Sequence, residues 1–201
     1  MSIINYALEQ LLDAIISTNP MAIREYVDKL RVQNPGISND RLAKMIIDRK
    51  SFKNGLIGAV TGIGSILTLP VSIPADIIAS WRIQAIMAFS IAYVYGHTAN
   101  TTDLKTDLYL IMAGDSAKEV LKRLSITASK EVTRRAVQKY ITKDIMKQVW
   151  KYVGQKIISK AGEKSLVSFM KMVPLIGMPV GFIFDWIAAR TVGYTAIKYY
   201  R

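Results

Sequence analysis

Two long stretches without a charged side chain limit what this chain can fold into more than any other feature. They span residues 54–75 and 83–102. Each is long enough to cross a bilayer as one helix. Pro70 and Pro74 argue against one straight helix through the first stretch, because proline lacks a backbone donor and restricts the preceding residue. We therefore expect a buried hydrophobic helical hairpin, interrupted by glycine and proline, with its bend at Pro70 and Pro74.

The first third of the chain predicts three short amphipathic helices. Ser2 is a candidate cap for the first, and the Asn-Pro pair at residues 19 and 20 begins the second. The second helix is expected to end at the Asn-Pro-Gly sequence of residues 34–36, which is a strong turn signal. Ser38 then opens the third helix. Each carries apolar residues at three- and four-residue spacing, as expected for half-buried helices.

The middle of the chain predicts two further helices. A Gly-rich helix is expected over roughly residues 53–67, followed by a long helix from about Pro74 to Tyr95 that stops at Gly96. Within the first of these, the spacing of Gly58 and Gly62 permits another helix to approach closely. It does not form a phosphate-binding loop, since no Gly-Lys-Ser/Thr sequence follows.

A chain of 201 residues is long enough for one domain with a substantial core. No segment alternates with period two for long enough to indicate a strand. We therefore predict an all-α fold, a single compact multi-helix bundle. Its parts are N-terminal helices (1–52), the hydrophobic hairpin (53–97), basic amphipathic helices (101–164) and a C-terminal hydrophobic helix (165–201).

Two apolar helices each carry a single acid, a tryptophan and an arginine. Asp76 and Arg82 are six residues apart, and Asp185 and Arg190 are five apart, so neither acid stacks on the arginine of its own helix. The economical solution is a cross-pair between packed helices, Asp76 with Arg190 and Asp185 with Arg82. The alternative is that these residues reach water at the rim of the bundle.

A basic stripe indicates what kind of partner the chain meets. The net charge of +12 favours anionic partners. Between residues 130 and 157, apolar residues recur at four-residue steps, and a cationic stripe lies about 200° away on the same helix. The stripe consists of Arg135, Lys139, Lys143, Lys147 and Lys151. It fits an interfacial helix on anionic phospholipid, and equally a half-buried helix with solvated lysines.

Several chemistries are excluded by the residues that the chain lacks. There is no cysteine, and His97 is the single histidine, so no familiar zinc, copper or iron–sulfur site can form. No carboxylates converge with other groups in a manner that suggests acid–base catalysis. No zinc spacing or RNA-binding motif supports nucleic acid as the partner. We expect no enzyme activity, no cofactor and no metal.

Several segments resemble the EcsC family of bacterial proteins. The resemblance is strongest over residues 61–96, and extends more weakly over most of residues 40–200. The matching segments are Thr61–Gly64, Leu69–Asp76, Arg82–Gln84, Ile91–Gly96 and Val173–Gly177 with Gly181. The resemblance implies association with a membrane, since members of the family look membrane-associated. The founding member is named for an operon that encodes an ABC transporter. It supplies no catalytic residues.

These observations favour a membrane-associated helical protein that binds an anionic lipid surface or a membrane-protein partner. Two alternatives stay open: a colicin-like pore former that inserts its hydrophobic hairpin, and a carrier of an acyl chain in an apolar pocket. Residues 1–20 lack a basic region and a cleavage site, so we expect no signal peptide. The expected location is the cytoplasmic face of a bacterial membrane, or a soluble form that moves to it.

Overall fold

The structure is a computed structural model that describes residues 18–64, 75–97, 107–108, 110–112 and 174–201. Within these, the side chains of 61–64, 75–77 and 174–180 are outside the description. The regular secondary structure in the described part is helical, which confirms the predicted fold class. The helix capped by Ser2, the bend at Pro70 and Pro74, and the basic stripe lie outside the described residues.

Helix α1 (Pro20–Gln33) begins and ends at the residues that the sequence predicts. The Asn19 side chain caps it by accepting from the backbone N–H of Met21 at 2.9 Å. Proline at the first position has no N–H to lose, so the start is favourable. Past the helix end, Gly36 has φ +74°, a conformation that side chains disfavour. Ile23, Val27 and Leu30 form the buried face.

Helix α2 (Asn39–Gly64) is longer than predicted. It starts after Ser38, whose carbonyl accepts from Leu42 N–H at 2.9 Å. It then continues without a break through the segment that was expected to begin a separate Gly-rich helix near residue 53. That boundary is wrong because no proline interrupts the helix, and Gly55 and Gly58 pack against a neighbouring helix.

Helix α3 (Ala75–Val94) lies within one residue of its predicted bounds. Two bonds close its C-terminal end: His97 N–H to the Ala92 carbonyl at 3.0 Å and Gly96 N–H to the Tyr93 carbonyl at 3.0 Å. With Gly96 at φ +80°, this is the Schellman arrangement that favours glycine. Much of α3 is buried, including Met87 and Ile91.

Helix α4 (Pro174–Tyr200) packs most extensively against α2. Helix α3 contacts both of them, and α1 packs on α3. Leu108, Leu110 and Ile111 add helical residues to the same core. Among the helices described, none is both long enough and apolar enough to cross a membrane.

Tyrosines bonded to carboxylates join helix ends at one side of the bundle. The Tyr95 hydroxyl donates to Asp40 at 2.6 Å, and Asp40 also pairs with Arg201 at 3.3 Å. The Tyr199 hydroxyl donates at 2.6 Å to Asp107, a carboxylate that is itself buried. The two bonds to Asp40 hold the ends of α3 and α4 beside the start of α2.

Replacing Tyr95 with phenylalanine is expected to flatten the alkaline loss of stability. Burial raises the pKa of Tyr95 above its ordinary value of 10.0, and the hydrogen bond and negative charge of Asp40 raise it further, against the opposing charge of Arg201. The unfolded chain therefore releases this proton at lower pH than the folded chain. The contribution is present below about pH 10 and is lost as the pH rises further.

The measurement is the free energy of unfolding by denaturant from about pH 8 to about pH 11. The wild type should lose more stability across this range than Tyr95→Phe, because the other tyrosines titrate in both proteins. Parallel curves would contradict the assigned cause.

Candidate functional site

Helices α2 and α4 pack antiparallel at very short range. Ile47 lies against Gly193, and Gly58 lies against Gly181. A Cβ built on Gly58 would come within 2.5 Å of the Gly181 carbonyl oxygen, so neither helix has room for a side chain there. The spacing of Gly58 and Gly62 predicts the close approach of a helix, but it does not identify α4 as the partner.

Buried polar side chains line the contact between the two helices. The Asn54 amide donates to the Asp185 carbonyl at 2.9 Å. The Asn54 Oδ1 atom and the Ser51 Oγ atom have no hydrogen-bond partner in the described structure, although both residues are fully buried. The Asp185 carboxylate lies next to Gly58. The contact between α2 and α4 therefore contains polar groups, and at Gly58 and Gly181 the two backbones meet directly.

Apolar side chains on α2 point away from the core beside this contact. Phe52, Leu56 and Val60 follow one another at four-residue steps, so they form one stripe. Their exposed fractions are 55%, 48% and 71%. Earlier on the same helix, Leu42 and Ile46 are fully buried. Large apolar side chains are therefore buried in the first half of α2 and exposed to solvent in the second half.

Helix α4 adds a second apolar stripe next to the first. Ile183 and Ile187 are 49% and 51% exposed and four residues apart. The rings of Phe52 and Phe182 meet edge to face with centroids 5.6 Å apart, which joins the two stripes. We call the combined surface the apolar face. It consists of Phe52, Leu56, Val60, Phe182, Ile183 and Ile187.

Arg190 marks the polar end of the apolar face. It forms an ion pair with Asp48 on α2 and donates to the Tyr194 hydroxyl at 2.9 Å. Its guanidinium also lies 4.9 Å from the Trp186 ring centroid, within cation–π range. Both partners of the ion pair reach solvent. Arg190 therefore lies at the rim of the bundle, which is the alternative that the sequence left open.

The structure describes the side chains of only some residues in the predicted cross-pairs. The Asp76 side chain lies outside the described residues, so its pairing with Arg190 stays a prediction, although Asp48 is the carboxylate seen on Arg190. Arg82 is exposed. Its pairing with Asp185 also stays a prediction, and any such pair would reach water.

Three cationic residues lie within five positions of each other on α2, beside the apolar face. They are Arg49, Lys50 and Lys53, which we call the cation cluster. The Lys50 Nζ atom lies 4.4 Å from the Tyr26 ring centroid. Burial lowers the pKa of Lys50, and the charge of Lys53 lowers it further. Neither the cluster nor the apolar face is among the sites predicted from the sequence, although the four-residue spacing from Phe52 to Val60 was a visible signal.

The other site residues predicted from the sequence fall outside the described part of the chain. They are Pro70, Pro74, Arg135, Lys139, Lys143, Lys147 and Lys151. Among the described residues, no group of three or more histidine, cysteine, aspartate or glutamate side chains could hold a metal ion. The surface therefore offers apolar contact and positive charge as its chemistry.

Comparison with known proteins identifies the family. The model of the EcsC protein family matches residues 2–201, nearly the whole chain. The chain belongs to the EcsC family. The match extends beyond the segments that carried the resemblance, and it includes helix α1 and the whole of helix α2, which carries the cation cluster. No curated protein and no solved structure matches the chain significantly.

Proposed function

We propose that this EcsC-family protein is a peripheral membrane protein that docks its apolar face on an anionic lipid surface. The observation that carries the proposal is the apolar face itself, which continues across two packed helices and stays exposed. Soluble proteins rarely expose contiguous apolar surface of this kind, and where they do it commonly marks a binding site for protein, ligand or membrane.

The surroundings of the apolar face favour a membrane over the other occupants. Arg49, Lys53 and Arg190 lie at one end of it, and the chain as a whole carries a charge of +12. Trp186 lies beside Arg190. Tryptophan and arginine next to apolar residues are typical of the boundary between lipid head groups and acyl chains.

The dimensions of the surface suit shallow docking. Lys53 and Val60 are seven residues apart, or about 10 Å along the helix axis. Interfacial helices bury their apolar side to about 5–10 Å. Because the apolar side chains follow the cations along the helix axis, we propose that α2 tilts its Val60 end toward the bilayer. The apolar part then enters the head-group and acyl boundary while the cations stay at head-group level. Docking of this kind needs no helix that crosses the bilayer.

Vesicle binding of a double variant tests the proposal. Leu56→Gln with Ile187→Gln is expected to lower the affinity for vesicles of phosphatidylcholine and phosphatidylglycerol by about 100-fold, because two apolar side chains no longer leave water. The control is Met21→Gln with Val32→Gln, two apolar residues of α1 that are even more exposed. The control should bind like the wild type, as measured by flotation.

The same vesicles distinguish the competing functions. Binding with retention of an entrapped dye supports docking, whereas release of the dye would instead support the pore former. A wild-type protein that binds no vesicle would overturn the proposal, and acyl chains copurifying with such a protein would point to the carrier. Equal loss of binding in both double variants would show that the apolar face is not the contact.

A further inference from the structure

The cation cluster and the apolar face form one continuous strip along α2. Arg49 and Leu56 are seven residues apart, and Lys53 and Val60 are also seven apart, so each cation lies two turns from an apolar residue on the same side of the helix. Arg49 and Lys53 are exposed, and Lys50 is half-buried. The strip therefore passes from cationic to apolar along the helix.

The positive charge of the cluster is concentrated around Tyr26. The Lys50 ammonium lies over the Tyr26 ring, and Arg49 is near enough for its charge to act on the same phenol. Burial raises the pKa of Tyr26, and the charge of Arg49 opposes that rise. In the described structure the nearby carboxylate of Asp48 is bonded to Arg190. The charge acting on Lys50 comes from Lys53, a like charge, and an anion would relieve the repulsion.

We infer that Arg49, Lys50 and Lys53 bind the phosphate of an anionic membrane phospholipid, with the glycerol and first acyl carbons against Phe52 and Leu56. This inference rests on the proposed function and names the group that the docking surface recognises. Arginine offers two parallel donors to phosphate oxygens, and lysine adds a compact charge. A soluble phosphate would use the cations and leave the adjacent apolar strip without a role.

The second helix carries a cation at the same level. The pairing of Arg190 with Asp48 places Arg190 beside the turn of α2 that holds Arg49. In the antiparallel register, Ile187 and Ile183 then lie beside Phe52 and Leu56. Both helices thus turn their apolar residues toward one end and their cations toward the other. Lipid phosphates that contact the cations of both helices at this level would fix the orientation of the protein on the bilayer.

The test removes two exposed cations of the cluster and keeps Lys50, which packs on Tyr26. Arg49→Gln with Lys53→Gln should lower the affinity for vesicles containing phosphatidylglycerol by roughly thirtyfold and leave the weaker binding to pure phosphatidylcholine unchanged. The matched control, Arg41→Gln with Lys198→Gln, removes one arginine and one lysine that are also exposed. It should lose about threefold or less, because screening limits the reach of distant charges.

Each outcome has a distinct meaning once unfolding curves show that both variants keep wild-type stability. An equal loss in both variants would reduce the effect to net charge and overturn the inference. Wild-type binding that is equally strong on both lipids would also overturn it, yet leave membrane docking intact. A wild type that binds no vesicle would remove the proposed function itself. Displacement by soluble glycerol phosphate at low concentration would assign the cluster to a soluble phosphate instead.

Discussion

Gly58→Ala is expected to destabilise the protein by about 3 kcal/mol, at the upper end of ordinary overpacking. The added Cβ would lie 2.5 Å from the Gly181 carbonyl oxygen and 2.9 Å from the Asp185 Cβ atom. The first of these is backbone, which moves only if the two helices separate. Alanine is otherwise the better helix former by about 0.5–1 kcal/mol, so the expected loss runs against local propensity. Denaturant unfolding measures it directly.

Gly55→Ala supplies the matched control, on the same helix and three residues away. Its Cβ would meet the Phe182 ring at 2.8 Å, and this contact is made by a side chain that can rotate aside. We expect a loss of about 1 kcal/mol or less, since the propensity gain offsets part of the clash. If Gly58→Ala were as mild as Gly55→Ala, the close backbone approach of α2 and α4 would be refuted.

The close approach also explains where the apolar side chains of α2 go. Helices in soluble bundles commonly lie 8–10 Å apart because side chains fill the space between them. At Gly58 and Gly181 there is no such filling, so the larger side chains Phe52 and Leu56 lie beside the contact and not inside it. Packing through small residues is common between helices in lipid. In this protein it leaves apolar side chains of α2 exposed to solvent.

Local chemistry decided which parts of the fold could be predicted. The start of α1 at Asn19 and the end of α3 at Gly96 follow from capping and positive-φ glycine, which depend on a few neighbouring residues. The single helix through residue 53 was missed because a change in hydrophobicity resembles a boundary. Gly55 and Gly58 lower the local helix propensity, but their packing against α4 keeps the helix continuous.

The site could not be predicted because it depends on contacts between distant segments. Asn54 and Asp185 are 131 residues apart in sequence, and Asp48 and Arg190 are 142 apart. A periodic pattern identifies an apolar stripe but does not say whether another helix covers it. Leu42 and Leu56 have the same side chain on the same helix, and only the tertiary structure separates a core residue from a surface residue.

These two leucines allow stability and membrane binding to be separated. Leu42→Ala should lower the free energy of unfolding by about 2–5 kcal/mol, because Leu42 is 0% exposed and its removal leaves a cavity. Leu56→Ala should cost under about 1 kcal/mol, because Leu56 is already 48% exposed. Both values come from denaturant unfolding of the purified protein.

The order of the two variants should reverse on vesicles. Leu56→Ala is expected to weaken binding to phosphatidylglycerol vesicles about tenfold, while the folded fraction of Leu42→Ala should bind like the wild type. The reversal matters because general destabilisation would lower both properties together. If Leu56→Ala proved as destabilising as Leu42→Ala, the apolar face would be part of the core. If it changed neither property, Leu56 would not contact the lipid. An exposed residue that docks on lipid should give one combination of results, retained stability and weakened vesicle binding.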